Sequence, residues 1–168
     1  MNNNPTILIT GNRKGIGLHL TKYFISKNYN VIGCSRSESD FEHTNYIHLI
    51  CDVSDVKGVK RVVKQGKKTF GSIDVLINNA GVASLNHSLL TPGLTVDKVF
   101  STNFSGSFFF SREVAKVMLK QKKGRIVNFS TVAVPMNLDG EMVYASSKAA
   151  VEKMTKIMNM RIVMRMRM

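Results

Sequence analysis

The chain has 168 residues, 43% of them hydrophobic, and a formal net charge of +13. That length favours a single domain with a core that needs no disulfide or metal staple. Two cysteines, Cys34 and Cys51, cannot make a disulfide framework, no Cys/His cluster points to zinc, and no run approaches the ~20 apolar residues of a membrane span.

Strand-like and helix-like patterns alternate from the start. The N-terminal MNNNPTILIT lacks the charged and apolar regions of a secretory signal. With two cysteines in apolar runs, a reduced, cytoplasmic protein is expected. Thr6–Thr10 is a short apolar run ended by a glycine loop, the pattern of a buried parallel strand. A helix follows over Ile16–Ser26, with Ile16, Leu20, Tyr23, Phe24 and Lys27 at helical spacing. Val31–Cys34 and Tyr46–Cys51 read as the second and third strands. Val56–Phe70 reads as a helix with Val59, Val62, Val63 and Phe70 on its apolar stripe. Ile73–Ile77 is the fourth strand, leading into Asn78-Asn79-Ala80-Gly81. A long helix is expected over about Val96–Lys120, a fifth strand over Arg125–Phe129, and a last helix from Tyr144 to about Ile157. The alternation implies an α/β, Rossmann-like, doubly wound parallel sheet of five strands with helices on both faces.

The charge divides along the same elements. Lys57, Lys60, Arg61, Lys64, Lys67 and Lys68 form one cluster, and Arg112, Lys116, Lys120, Lys122, Lys123 and Arg125 another. Basic clusters of this kind bind phosphates or are solvated helix faces. Without aromatic interleaving or a reading motif, the second alternative is favoured and no specific nucleic-acid partner is expected. The tail from Met154 holds four of the basic residues, no acid and six of the ten methionines.

The first strand runs into Thr10-Gly11-Asn12-Arg13-Lys14-Gly15-Ile16-Gly17 and then a helix. Glycines there permit the tight turn, the approach of a pyrophosphate to the backbone, and close packing of helix on strand. Free N–H groups and the helix dipole would meet the phosphates. The second strand ends Cys34-Ser35-Arg36, where a group that reads the adenosine ribose is expected. An acid there would favour NAD; Arg36 offers a planar fork to a 2′-phosphate, and Lys14 adds a point charge. NADP rather than NAD is therefore the expected cofactor. Tyr144-Ala145-Ser146-Ser147-Lys148 places tyrosine and lysine four apart on one helix face, where an ammonium stabilises a phenolate.

These residues, taken together, resemble the short-chain dehydrogenase/reductase family in its ordinary single-domain form. The matches are TGNRKGIG at Thr10–Gly17, Asp52-Val53, NNAG at Asn78–Gly81, Asn103, the serine-bearing fifth strand and Tyr144/Lys148, over about residues 5–155. The resemblance implies that Gly11, Gly15 and Gly17 shape a pyrophosphate loop, with Arg13, Lys14 and Ile16 beside the cofactor and Ser35 and Arg36 at its ribose. It implies that Asp52 holds the adenine amino group beside Val53, and that Asn79, Ala80 and Gly81 line the cofactor. Tyr144 would exchange the proton with a carbonyl or alcohol. Lys148 would hold the nicotinamide ribose and lower the tyrosine pKa, and Asn103 would hold a water that links Lys148 to solvent. Hydride transfer between a nicotinamide and a small carbonyl or alcohol substrate follows, with 3-oxoacyl thioesters among the substrates of relatives.

One position departs from the family pattern. Counting thirteen residues back from Tyr144, where the family carries serine, gives Thr131, with Ser130 just before it. Either hydroxyl can donate to a substrate oxygen; Thr131 is the first choice and Ser130 the second. Relatives continue past the tyrosine helix with further strands and a substrate-binding segment, and commonly form homo-oligomers through their long helices. Here the helix turns into the Met/Arg-rich NMRIVMRMRM. Residues 1–157 are accordingly read as the NAD(P)-binding domain and 158–168 as an atypical tail, the product of a truncation or frameshift, or else a helix continuing with an arginine face. The altered tail weighs against the relatives' oligomer, and a cofactor-binding remnant without full activity is the alternative to a working reductase.

Overall fold

The computed structural model describes the backbone of residues 4–165 and the side chains of residues 4–158. Its centre is a five-stranded sheet built from β1 (Thr6–Thr10), β2 (Asn30–Ser35), β3 (Tyr46–Ile50), β4 (Val75–Asn78) and β5 (Arg125–Asn128). The order is β3-β2-β1-β4-β5, every pairing is parallel, and Leu8 stands in register with both Ile32 and Leu76. The order reverses between β1 and β4, and a doubly wound sheet opens its ligand crevice at that switch point, beyond the carboxyl ends of the strands. The five-strand expectation holds, with β4 and β5 shifted by a residue or two.

Helices α1 (Gly15–Ser26), α2 (Val56–Phe70), α3 (Gly93–Phe100), α4 (Gly106–Gln121), α5 (Ala133–Met136) and α6 (Met142–Arg165) complete the fold. One core cluster lies under α2 and α4, where Val59, Val62, Val63, Phe110 and Val114 pack on Leu8, Ile32 and Leu76. A second lies on the opposite face, where Ile25 joins Ile7, Ile9, Val31 and Ile77. The central strands are buried on both faces, which is why they read as unbroken apolar runs rather than alternating ones.

Local chemistry sets the ends of α2. The Asp55 carboxylate accepts from the N–H groups of Lys57 and Gly58, and Gly71 closes the helix at φ +81. Its lysines Lys57, Lys60, Lys64, Lys67 and Lys68 are all exposed. Cys34 and Cys51 are buried and unbonded, and burial pushes the Cys51 thiol up to about 11.

Several elements differ from the sequence reading. In α1 the buried stripe is Gly17, Thr21 and Ile25, whereas Ile16 and Tyr23 are exposed, because Gly17 brings the helix so close to the sheet that its neighbours turn outward. The expected long helix is α3 and α4 joined by a π-helical turn over Ser101–Ser105. Helix α6 starts at Met142 and its backbone runs through Arg165, past the expected end at Ile157. Apart from that backbone, the tail reading for residues 158–168 lies outside the described residues beyond Met158. β5 forms one edge of the sheet, with Val127 45% exposed.

Candidate active site

The glycine loop is fastened to the end of β4. Thr10, buried at the tip of β1, accepts through Oγ1 from the N–H groups of Asn79 (3.1 Å) and Ala80 (3.0 Å). The Asn79 amide returns two hydrogen bonds, to the carbonyls of Thr10 (2.9 Å) and Gly11 (3.1 Å). Gly11 sits at φ +67, and a Cβ there would fall 2.8 Å from Ala80 Cα, so both the turn and the contact exclude a side chain. At Gly17 a Cβ would lie 2.4 Å from the Gly11 carbonyl oxygen. Helix α1 then begins at Gly15 without a side-chain cap. Its first N–H groups are left to water or a ligand, the condition for an anion site at a helix N-terminus. Arg13, Lys14 and Ile16 are exposed around it. The loop is therefore a cradle that side chains do not fill, and its donors fit a pyrophosphate.

At the far end of β2, Ser35 is half-buried and Arg36 is exposed. Asp52 follows β3 and is exposed. Partial burial works against its charge, but the N–H (2.9 Å) and hydroxyl (2.7 Å) of Ser54 and the nearby Arg36 guanidinium hold its carboxyl below the usual range. Val53 is buried against the start of α4, where a Cβ on Gly106 would lie 2.6 Å from its Cγ2. Its side chain is thus a core contact.

The catalytic candidates come from β5, α6 and the π-turn. Lys148 is buried, and its ammonium donates to the Phe129 carbonyl at 2.9 Å. It lies 3.7 Å from where a Cβ on Gly81 would stand, so the lysine of α6 meets the end of the β4 segment. Burial pushes the Lys148 ammonium down from its ordinary range. Asn103 is fully buried in the π-turn. Its Oδ1 accepts from the Val82 N–H (2.8 Å), and its Nδ2 donates to the Val82 carbonyl and to Ser147 Oγ (2.9 Å each). Both ends of the amide are thus committed to pinning the strand after Gly81 against α6, one residue from Lys148.

The two hydroxyl candidates differ in where their protons go. Ser130 donates to the Glu152 carboxylate. Thr131 Oγ1 accepts from the Ala133 N–H at 3.3 Å, which leaves its own hydrogen uncommitted. Tyr144 is half-buried in the first turn of α6. Asn12 and Glu152 are site neighbours that the sequence reading missed. Glu152 lies at i+8 from Tyr144, on the same helix face as Lys148, and that spacing was the available signal. No group of three metal-ligating side chains occurs among the described residues, and no helix among them is long and apolar enough to cross a membrane.

Residues 5–165 match the family described as short chain dehydrogenase, and the chain belongs to that family. It is 35% identical over 154 residues to an uncharacterized oxidoreductase of Schizosaccharomyces pombe, covering 90% of this chain and 53% of that protein. It is 30% identical over 148 residues to the 3-oxoacyl-[acyl-carrier-protein] reductase FabG of Escherichia coli, covering 84% of this chain and 61% of that enzyme. The chain therefore spans a little over half the length of these relatives. Among solved structures it resembles ElxO with NADP bound, with a TM-score of 0.89 and 30% identity over 95% of this chain and 68% of that one. A short-chain dehydrogenase from Streptomyces avermitilis shares the fold with a TM-score of 0.90 at 22% identity.

Proposed function

We propose that the chain is the cofactor-binding and catalytic part of an NADP-dependent oxidoreductase that moves a hydride between a nicotinamide and a carbonyl or alcohol. The observation that carries the reading is the position of Lys148. A buried ammonium at the mouth of the parallel sheet, four residues along one helix face from Tyr144 and beside Gly81, is costly for stability and places a positive charge where a cofactor ribose and a substrate oxygen would meet. NADP, when bound, supplies the hydride chemistry. The uncapped start of α1 and the Gly11–Gly17 loop would hold its pyrophosphate, Arg36 and Lys14 its 2′-phosphate, and Asp52 its adenine. Gly15 and the segment Asn79–Gly81 would complete the wall. NADP in the similar ElxO structure supports the preference over NAD.

Tyr144 delivers the proton to the substrate oxygen in reduction and takes it back in oxidation, with the Lys148 ammonium one helical turn further along the same face. Thr131 polarises that oxygen: its hydrogen is free, whereas Ser130 has given its own to Glu152. Asn103 holds the Val82 segment and α6 in register, so that Lys148 stays beside Gly81. The similarity to FabG makes 3-oxoacyl thioesters the first substrates to assay.

A second reading is a module that binds the cofactor without turning over substrate. Exposure beside the candidate residues favours it: Val132, next to Thr131, is 68% exposed, and Met142, two residues before Tyr144, is 53% exposed. A panel of carbonyl compounds with NADPH separates the two. Turnover that disappears in Tyr144→Phe with NADPH affinity retained supports the enzyme. Activity surviving in Tyr144→Phe overturns the mechanism, and loss of turnover in Ser130→Ala but not Thr131→Ala reverses the hydroxyl assignment.

A further inference from the structure

Asn12 is the second residue of the glycine loop, yet its side chain is fully buried and reaches beneath the loop towards β2 and β3. It occupies the space above Gly33, where a Cβ would fall 1.9 Å from its Nδ2. From there Nδ2 donates to Tyr46 Oη at 2.6 Å and to Thr21 Oγ1 at 3.3 Å. Tyr46 Oη lies 3.0 Å from His48 Nδ1. His48 Nε2 in turn lies 3.0 Å from the Ser37 carbonyl and 3.2 Å from Ser35 Oγ. Tyr46 and His48 are neighbours on one face of β3, two residues apart, and His48 stands in register with Gly33.

Donor and acceptor chemistry orients every link. A carbonyl only accepts, so His48 Nε2 carries the hydrogen that goes to Ser37. In the neutral ring Nδ1 is then an acceptor, and the Tyr46 hydroxyl donates to it. That leaves the Tyr46 oxygen to accept from Asn12, while the Thr21 hydroxyl donates to the Gly17 carbonyl at 2.9 Å. The chain therefore runs one way, from the glycine loop to the backbone of residues 35–37. Its outer end brackets Arg36 on both sides, since the Ser35 hydroxyl also donates to the Ser37 carbonyl at 2.5 Å.

We propose that Tyr46 and His48 are positioning residues for cofactor selectivity, holding the Ser35–Ser37 segment and so Arg36 at a fixed place relative to the glycine loop. This rests on the assignment of Arg36 to the 2′-phosphate. With the pyrophosphate on the loop, the 2′-phosphate position is fixed, and a guanidinium makes its paired hydrogen bonds there only if its backbone is held. NADH has no such phosphate and does not draw on the arrangement.

The test is titration of NADPH and NADH, followed by nicotinamide fluorescence, on the full chain and four variants. His48→Asn keeps an acceptor for Tyr46 near the Nδ1 position but cannot reach Ser37, and it leaves the buried Asn12–Tyr46 pair intact. It is expected to weaken NADPH about fivefold, the equivalent of one net hydrogen bond, and to leave NADH unchanged. His48→Gln, which can present a donor near the Nε2 position, is expected to recover most of the loss. Tyr46→Phe cuts the chain one link earlier and also takes from Asn12 its acceptor under the loop, so it is expected to weaken both cofactors and NADPH the more. An unchanged NADPH:NADH ratio in both His48→Asn and Tyr46→Phe, with Arg36→Ala abolishing the preference, overturns the proposal and leaves the Arg36 assignment standing. An equal loss for both cofactors also overturns it, since that is the mark of a structural role alone. If Arg36→Ala leaves the preference intact, the assignment of Arg36 fails and the proposal falls with it.

Discussion

Replacing Thr10 with valine tests the fastening of the glycine loop to β4. The two side chains have nearly the same shape, and Thr10 is 1% exposed, so the change exchanges one buried hydroxyl for a methyl. The hydroxyl oxygen accepts from two backbone N–H groups, those of Asn79 and Ala80. Asn79 N–H has a second acceptor in the Ile77 carbonyl at 3.1 Å, so the Ala80 donor loses most. A buried donor left unpaired costs about 1–3 kcal/mol, and the added methyl returns at most about 0.8 kcal/mol through burial. Taking the middle of that range, the net loss is about 1 kcal/mol, or about 2–4 °C in Tm for a chain of this size. Urea unfolding and thermal melts of Thr10→Val, with Thr10→Ser as a control that keeps the hydroxyl, measure it. NADPH titration of the same proteins reports whether the loop has loosened. Stability of Thr10→Val within about 0.5 kcal/mol of the parent, or equal losses in the valine and serine variants, would refute the reasoning.

Two further perturbations probe other joints. Asp74 is opposed by partial burial but held below its usual range by the Thr6 N–H (2.9 Å), the Lys123 ammonium (2.9 Å) and the Ser72 hydroxyl (2.7 Å). Because its folded pKa lies below the unfolded value of 3.8, the stabilisation is complete above that value and disappears as pH falls through the folded one. The Tm gap between the parent and Asp74→Asn should stay constant from neutral pH to about pH 5 and close below pH 3.8; a gap that widens in acid would contradict the ion-pair account. Gly17→Ala drives a Cβ to 2.4 Å from the Gly11 carbonyl and 2.7 Å from Asn79 Nδ2, where backbone cannot yield without moving the loop. NADPH affinity should fall at least about tenfold, with about 1–3 kcal/mol lost in stability, and normal affinity would show that the loop tolerates the shift.

The central strands Thr6–Thr10, Asn30–Ser35 and Val75–Asn78 were legible because they are largely buried on both faces and so read as apolar runs. The glycine loop was legible for a related reason. Close approach of Gly11 to Ala80 and of Gly17 to Gly11 forbids side chains, and that constraint writes itself into the sequence as spacing. What stayed hidden depends on contacts between distant residues. The π-turn over Ser101–Ser105 has no separate period, and it surfaced only where Asn103 reaches across to Val82 and Ser147. The start of α6 at Met142 precedes the tyrosine motif because the Ala145 N–H already bonds to the Glu141 carbonyl at 2.7 Å. The inward turn of Asn12 has no local signal either. It depends on a missing Cβ at Gly33 and a phenol at Tyr46, two strands away.

The two halves of the site are held together differently, and that bears on what loss of function would mean. At the glycine loop, Thr10, Asn79, Asn12 and Tyr46 tie the loop to β3 and to the end of β4 through side-chain hydrogen bonds whose partners are 34 to 70 residues away in sequence. Such a network is rigid and needs no substrate to form. Around the proposed catalytic residues, Val132 and Met136 beside Thr131 and Met142 beside Tyr144 are more than half exposed, as are Leu85, Leu89, Leu90 and Leu94 on the segment after Gly81. Apolar side chains left in solvent there form no enclosing wall, in contrast to the buried contacts of the loop. Cofactor affinity and turnover are therefore separable: a defect in the first points to the stitched loop, whereas intact affinity with weak turnover points to the groups that meet the substrate, Tyr144 and Thr131 among them, or to the open surface around them.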